Sequence, residues 1–201
     1  MTLKEWQRFI SLQLAQKYAL EEANQLSKIL IQHYTGANST TILLSEADNV
    51  PPEHYEHDIQ RLLNDEPWQY VIGVSEFCGL PITVNSAVLI PRPETEELVQ
   101  LLWSEVRGSE ATYIIDICSG SGCIALALKH LYPHARVAAW EWSHEALALS
   151  KQNASKLNLE VVWQRMDALH ADSYKGHPIQ ADVIVSNPPY VCRSESALMQ
   201  A

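Results

Sequence analysis

Residues 182–190, DVIVSNPPY, run a set of β-branched side chains straight into a rigid polar turn, and the turn carries the chemistry. Pro188 and Pro189 hold φ at about −65° and remove two backbone donors, which fixes the carbonyls around them. Asn187, placed before a proline, is driven into an extended conformation. Its side-chain oxygen and the Pro188 carbonyl can both accept from one planar NH2 group, with the Tyr190 ring on that group's flat face. The turn therefore reads as a clamp for an amide or an aromatic amine, with Asn187, Pro188, Pro189 and Tyr190 as the catalytic candidates and Asn187 also a cofactor-binding candidate. A plain Asn-Pro turn closing a strand is the simpler alternative.

A second stretch, YIIDICSGSGCIALAL from Tyr113 to Leu128, is a buried strand, a small-residue loop and the start of a helix near Cys123. Cys118, Ser119, Gly120, Ser121 and Gly122 let a ligand lie against the backbone, and the helix N-terminus turns its N–H groups toward it. A nucleotide-like ligand is implied. A further strand, Arg136 to Trp140, ends at Glu141, where an acidic side chain grips the two hydroxyls of a ribose. Asp167, followed by Ala168, is placed at the end of strand Glu160 to Gln164, where an acid can accept from an adenine amino group; a solvated loop carboxylate is the alternative. All these positions fall at the carboxyl ends of successive parallel strands, the ligand-binding edge of an open α/β sheet.

Gly120, Gly122 and Ala125 also satisfy the GxGxxG/A pattern of dinucleotide-binding folds, so a nicotinamide dehydrogenase is a rival reading. Asp116 opposes it: a carboxylate at the mouth of the loop repels a pyrophosphate but suits the ammonium of a methionine moiety. S-adenosylmethionine carries that ammonium, and methyl transfer to a clamped nitrogen uses the Asn187 turn as hydride transfer does not.

The elements that must position these residues are legible in outline. Apolar positions at helical spacing (Leu3, Trp6, Ile10, Leu14, then Leu26, Ile29, Leu30) predict two amphipathic helices, with Gly36 as a stop and a polar break over Thr35 to Thr41. Pro51 and Pro52 are expected to open a third helical segment, carrying Ile59, Leu62 and Leu63, that runs to Pro67. Alternation with Gly73, Gly79, Pro81 and Asn85 predicts a β-hairpin linker. The expected domains are 1–73, helical and for substrate recognition; 74–90, the hairpin linker; and 91–201, the sheet. Within VLIPRPETEE, Pro91 and Pro93 hold Arg92 extended before a helix whose first turn takes Thr95 and the acids Glu94, Glu96 and Glu97; Arg92, Pro93 and Thr95 are site-proximal candidates.

A net charge of −10, from 14 Lys and Arg against 24 Asp and Glu, disfavours binding to a phosphate backbone, so nucleic acid is not the expected partner. The four cysteines show no CxxC pair and the eight histidines no zinc spacing, so no metal is assigned. Without an apolar run near the ~20 residues a membrane helix needs, or a secretion signal, the expected location is the cytoplasm and no membrane partner is expected.

Four motifs together, Pro67-Gln69-Tyr70-Gly73 (PxQYxxG), LIPRPETEELV from Leu89, DxCSGSG from Asp116 and SNPPYV from Ser186, resemble the protein-(glutamine-N5) methyltransferases of peptide chain release factors, the PrmC/HemK family. The resemblance covers the chain from about Pro67 onward. It implies a Rossmann-like class I S-adenosylmethionine-dependent methyltransferase sheet behind an N-terminal helical domain. It also implies S-adenosyl-L-methionine as donor, and as acceptor the glutamine of the GGQ loop of class 1 release factors, modified for translation termination. On that pattern Asn187 and the Pro188 carbonyl hold the glutamine amide beside Tyr190, and Ser119 to Gly122 with Glu141 hold the cofactor. Two positions depart from it: Cys118 stands where the family has Gly in DLGTGSG, and Glu141 where Asp is usual. The alternatives are a methyltransferase for exocyclic amines of nucleic-acid bases, and a non-catalytic binding module. The resemblance further implies a seven-stranded sheet, for which too little sequence follows Tyr190. The chain is therefore expected to be truncated, to leave the apolar strand Asp182 to Ser186 uncovered, to bind the cofactor weakly and to turn over little.

Overall fold

The computed structural model describes residues 1–44, 53–106, 113–170 and 180–189. The chain divides into two compact units, Met1–Gly73 and Val74–Ala201.

The first unit is helical: α1 (Leu3–Leu14), α2 (Leu20–Thr35), α3 (Ser39–Leu44), α4 (Tyr55–Leu63) and α5 (Trp68–Ile72). Thr2 and Glu5 form a capping box that starts α1, with Thr2 Oγ1 accepting from the Glu5 N–H and Glu5 Oε2 from the Thr2 N–H. The helical spacing turns Trp6, Ile10 and Leu14 inward onto Leu30, Ile31, Ile59 and Leu62, all nearly inaccessible. Gly36 ends α2 in the left-handed region at φ 67°, its N–H donating to the Gln32 carbonyl, as a glycine stop does.

Two local expectations are corrected here. The polar break after Gly36 contains α3, because Asn38 Oδ1 accepts from the Thr41 N–H at 2.9 Å and nucleates a turn from a sequence that reads as loop. The third helical segment does not run to Pro67: α4 stops at Leu63, and Pro67 instead caps the start of α5. Arg61 closes this corner, donating to both Glu66 carboxylate oxygens and to the carbonyls of Tyr70 and Val71 at the end of α5. That hub holds the backbone of the PxQYxxG stretch at Tyr70 and Val71. Pro51 and Pro52 lie outside the described residues.

The second unit opens with an antiparallel hairpin, β1 (Val74–Phe77) and β2 (Leu80–Thr83), joined by Cys78 and Gly79 at φ 49° and 76°. Two positive φ values in a two-residue loop define the turn whose twist matches the strands. Helix α6 (Pro93–Val106) follows, then β3 (Tyr113–Ile117), α7 (Cys123–Leu131), β4 (Arg136–Glu141), α8 (His144–Leu157), β5 (Val162–Arg165) and β6 (Val183–Ser186). Glu96, in the first turn of α6, accepts from the Cys78 N–H at 2.9 Å and so ties the hairpin turn to that helix.

The four later strands form one parallel sheet of order β5-β4-β3-β6. Its central strands are nearly continuous in buried residues, as a sheet covered on both faces requires. From β3 the chain winds outward through β4 to β5, then returns to place β6 on the other side of β3. The order therefore reverses between β3 and β6, and the crevice beyond their carboxyl ends is where an open α/β sheet binds its ligand. Among the described residues β6 is an outer strand, with Val185 buried and Ile184 about half exposed. The expectation that this strand is left uncovered turns on residues beyond 189, which lie outside the described residues.

Candidate active site

The loop between β3 and α7 is held from below. Asp116 is fully buried; its Oδ2 accepts from the Ala125 N–H at 3.1 Å, which satisfies a donor in the first turn of α7. Its Oδ1 and the nearby Ser119 Oγ have no partner among the described residues. Burial, reinforced by Glu141 and opposed by the Ala125 N–H, pushes the Asp116 carboxyl up to about 8. An unfolded Asp titrates at about 3.9, so the folded chain holds an extra proton between those values. Stability contributed by this group is complete below about pH 4 and is lost as pH rises through about 8. Asp116→Asn is expected to remove that dependence: in urea melts its stability relative to the parent rises from pH 5 to pH 8.5, and a constant difference would refute the assignment.

Cys118 adopts φ 62°, a conformation that favours glycine. This is the physical content of the departure from DLGTGSG noted above. A side chain in this region costs roughly 1–2 kcal/mol, partly offset by the greater freedom of an unfolded glycine. Cys118→Gly is therefore expected to stabilise the chain by about 1 kcal/mol in urea unfolding.

The two loop glycines do different work. Gly122, at φ 81°, sits where a Cβ would lie 2.6 Å from the Trp163 ring and 3.0 Å from Ser150 Cβ, so the position is closed by packing. Gly120, at φ 55°, would point a Cβ into open space. Its N–H donates to Glu141 Oε2 at 2.8 Å, while the Ser143 N–H donates to Glu141 Oε1 at 2.8 Å. Glu141 thus sits at the end of β4 facing the loop, with carboxylate lone pairs still available to hydroxyl donors.

Asn153 of α8 was not legible as a site residue. It is buried, and its side chain accepts from the Thr83 N–H and donates to the carbonyls of Thr83 and Ser121, joining the hairpin to the glycine loop. An Asn within an amphipathic helix gives no such signal without the fold.

Asp167 lies beyond β5, which ends at Arg165 rather than at Gln164. Its Oδ1 accepts from the Leu169 N–H and its Oδ2 meets His170 Nδ1 at 2.6 Å. These contacts hold its carboxyl below the usual range, the Leu169 N–H foremost. Ala168 is half-buried in the same turn. Asp167 and Ala168 follow β5, separated from β3 by β4, whereas the glycine loop and Glu141 leave neighbouring strands and touch.

On the other side of β3, Ser186 pairs in register with Ile117, so the Asn187 turn and the glycine loop leave the sheet at the same level. Ser186 Oγ donates to the Ile117 carbonyl at 2.7 Å. Asn187 Nδ2 donates to Thr95 Oγ1 at 3.0 Å. Pro93 is the first residue of α6, which places Thr95 in its first turn. Arg92, Glu94, Thr95, Leu98 and Asn187 line an open cavity of about 480 Å³. Two motifs nearly a hundred residues apart therefore meet at one cavity, beyond the carboxyl end of β6. Tyr190 lies outside the described residues.

An open parallel sheet with a glycine loop and an Asn-Pro-Pro turn at its switch point is a class I methyltransferase sheet, and residues 94–200 match the family model described as Methyltransferase small domain. Residues 5–73 match the PrmC N-terminal domain. The chain is 39% identical over 196 residues to a release factor glutamine methyltransferase of Bacteroides thetaiotaomicron, covering 96% of this chain and 69% of that one. Proteins of the same name from Streptococcus pneumoniae and Enterococcus faecalis are each 37% identical, over 88% and 83% of this chain and 62% and 59% of theirs. Among solved structures, a human methyltransferase 10 domain containing protein aligns over 56% of this chain and 55% of its own at 25% identity and TM-score 0.45. The chain belongs to the release factor glutamine methyltransferase family.

Proposed function

We propose that the protein transfers a methyl group from S-adenosyl-L-methionine to the side-chain amide nitrogen of the GGQ-loop glutamine in class 1 peptide chain release factors. The observation that carries this reading is the Asn187 turn, held by Thr95 at the rim of the cavity and level with the glycine loop. Its residues fit the donor: Gly120 opens onto free space, and Glu141 stands beside it with acceptor capacity for two ribose hydroxyls. When bound, that cofactor supplies an electrophilic methyl on a positive sulfur.

The chain's own residues supply position. An amide nitrogen is a poor nucleophile because its lone pair is delocalised into the carbonyl. Asn187 Oδ1 and the Pro188 carbonyl accept its two N–H bonds, which raises electron density on nitrogen, and the two prolines restrain the backbone carbonyl. No side chain at the cavity is required as a base, because the proton can leave to water once the nitrogen has been alkylated.

The helical unit, Met1–Gly73, which matches the PrmC N-terminal domain, is the natural candidate for gripping the protein substrate. No helix among the described residues is long and apolar enough to cross a membrane.

Glu141→Ala is expected to weaken donor binding at least about tenfold in titration calorimetry, the loss of charge-assisted hydrogen bonds of roughly 1.5–3 kcal/mol. Unchanged affinity would remove Glu141 from the ribose role. The substrate class is tested with a donor labelled on the methyl group, offered together with release factor and with tRNA or DNA. Label in the protein fraction supports the reading, and label in nucleic acid overturns it.

A further inference from the structure

Asn153 of α8 is 1% exposed, and its side-chain oxygen and both of its N–H bonds are in use. Oδ1 accepts from the Thr83 N–H at 2.9 Å, and Nδ2 donates to the Thr83 and Ser121 carbonyls, each at 3.0 Å. A backbone N–H can only donate and a backbone carbonyl can only accept, so these partners allow one orientation of the amide. Toward Thr83, the last residue of β2, it acts as a peptide unit of a neighbouring strand would. Its third bond reaches the loop between β3 and α7, where the Gly122 N–H donates to the Ser119 carbonyl at 2.7 Å. Across a trans peptide the C=O and N–H point in opposite directions. The unit linking Ser121 to Gly122 is therefore held at both ends, by Ser119 on one side and by Asn153 on the other.

We infer that Asn153 is a positioning residue for the methyl donor: by fixing the peptide between Ser121 and Gly122 it holds the turn that presents Gly120 beside Glu141 before the donor arrives. This rests on the function proposed above, which puts the donor against Gly120 and Glu141. Rotation of that peptide turns the Gly122 N–H away from Ser119, opens the turn, and frees Gly120 from the place where its N–H meets Glu141 Oε2. A loop with that freedom has to be ordered when the donor binds, which weakens affinity. Once the donor is seated the geometry is the same, so the loss falls on binding and not on transfer. Lys156, three residues further along α8, donates to Thr83 Oγ1 at 2.9 Å and ties the helix to the same residue of β2 by a second route.

In the full-length protein, Asn153→Ser is expected to weaken donor binding about 5- to 30-fold in titration calorimetry, the span that fixing one residue's backbone covers, while kcat for release factor at saturating donor stays near the parent value. Lys156→Met, which breaks the second tie and leaves Asn153 in place, keeps the parent Kd. Urea melts on the same samples establish that each variant is folded under the conditions of the assay. Parent-like donor Kd in folded Asn153→Ser overturns the inference, and so does an equal loss in Lys156→Met, which would assign the effect to the hairpin. A measurement on the parent decides if Asn153→Ser does not fold. Saturating donor is expected to slow hydrogen exchange of the Thr83 N–H, bonded to Asn153, more than that of the Cys78 N–H, bonded to Glu96 at the other end of the hairpin. Equal slowing at the two positions overturns the inference. A parent that binds no donor overturns the function proposed above and this inference with it, whereas donor binding indifferent to Asn153 removes the role of Asn153 alone.

Discussion

Asn187→Ala is expected to cut methyl transfer to release factor by about 100- to 1000-fold while leaving the donor's Kd near that of the parent. The loss is that of one fixed acceptor aimed at the reacting group, in a site where the partner acceptor, the Pro188 carbonyl, cannot compensate because its chain is held by two prolines. Donor affinity is spared because the glycine loop is held by other contacts: Ser119 N–H to the Trp140 carbonyl, Gly120 N–H to Glu141 and the Ser121 carbonyl to Asn153. Single-turnover assays with saturating donor, beside calorimetric titration of the donor alone, read the two quantities separately. A variant that lost donor binding and turnover together would place Asn187 in the cofactor site instead.

The second large effect separates the two loop glycines. Gly122→Ala is expected to destabilise the chain by about 3 kcal/mol, because a methyl group would sit 2.6 Å from the Trp163 ring at a φ that already penalises a side chain. Gly120→Ala carries only the conformational cost of roughly 1–2 kcal/mol, since its Cβ meets open space. That open space is where the donor is proposed to lie, so Gly120→Ala should fold and fail to bind, whereas Gly122→Ala should fail first by unfolding. Urea denaturation and donor titration of the pair discriminate them; equal stability losses would contradict the geometry.

The four parallel strands were readable because each is a short apolar run bounded by turn residues. Short helices were not readable in the same way. α3 depends on a single capping bond from Asn38, and α5 on Arg61 reaching its last carbonyls, neither of which periodicity reports. Candidate residues on loops were found from their type and place, yet their partners were not. Glu141 proved to be bonded to Gly120, Thr95 to Asn187 and Asn153 to Ser121, each pair joined only once distant segments pack. The carboxyl of Asp116 shows the limit most clearly. Its type suggested a charge at the loop mouth, while its complete burial depends on β3 being central in the sheet.

The most direct measurement is fragmentation mass spectrometry of a release factor incubated with the full-length protein and S-adenosyl-L-methionine. The account predicts a single added methyl group on the side chain of the GGQ glutamine, absent when the enzyme carries Asn187→Ala. A methyl group found on another residue, on a backbone amine or on nucleic acid in the same mixture would contradict it.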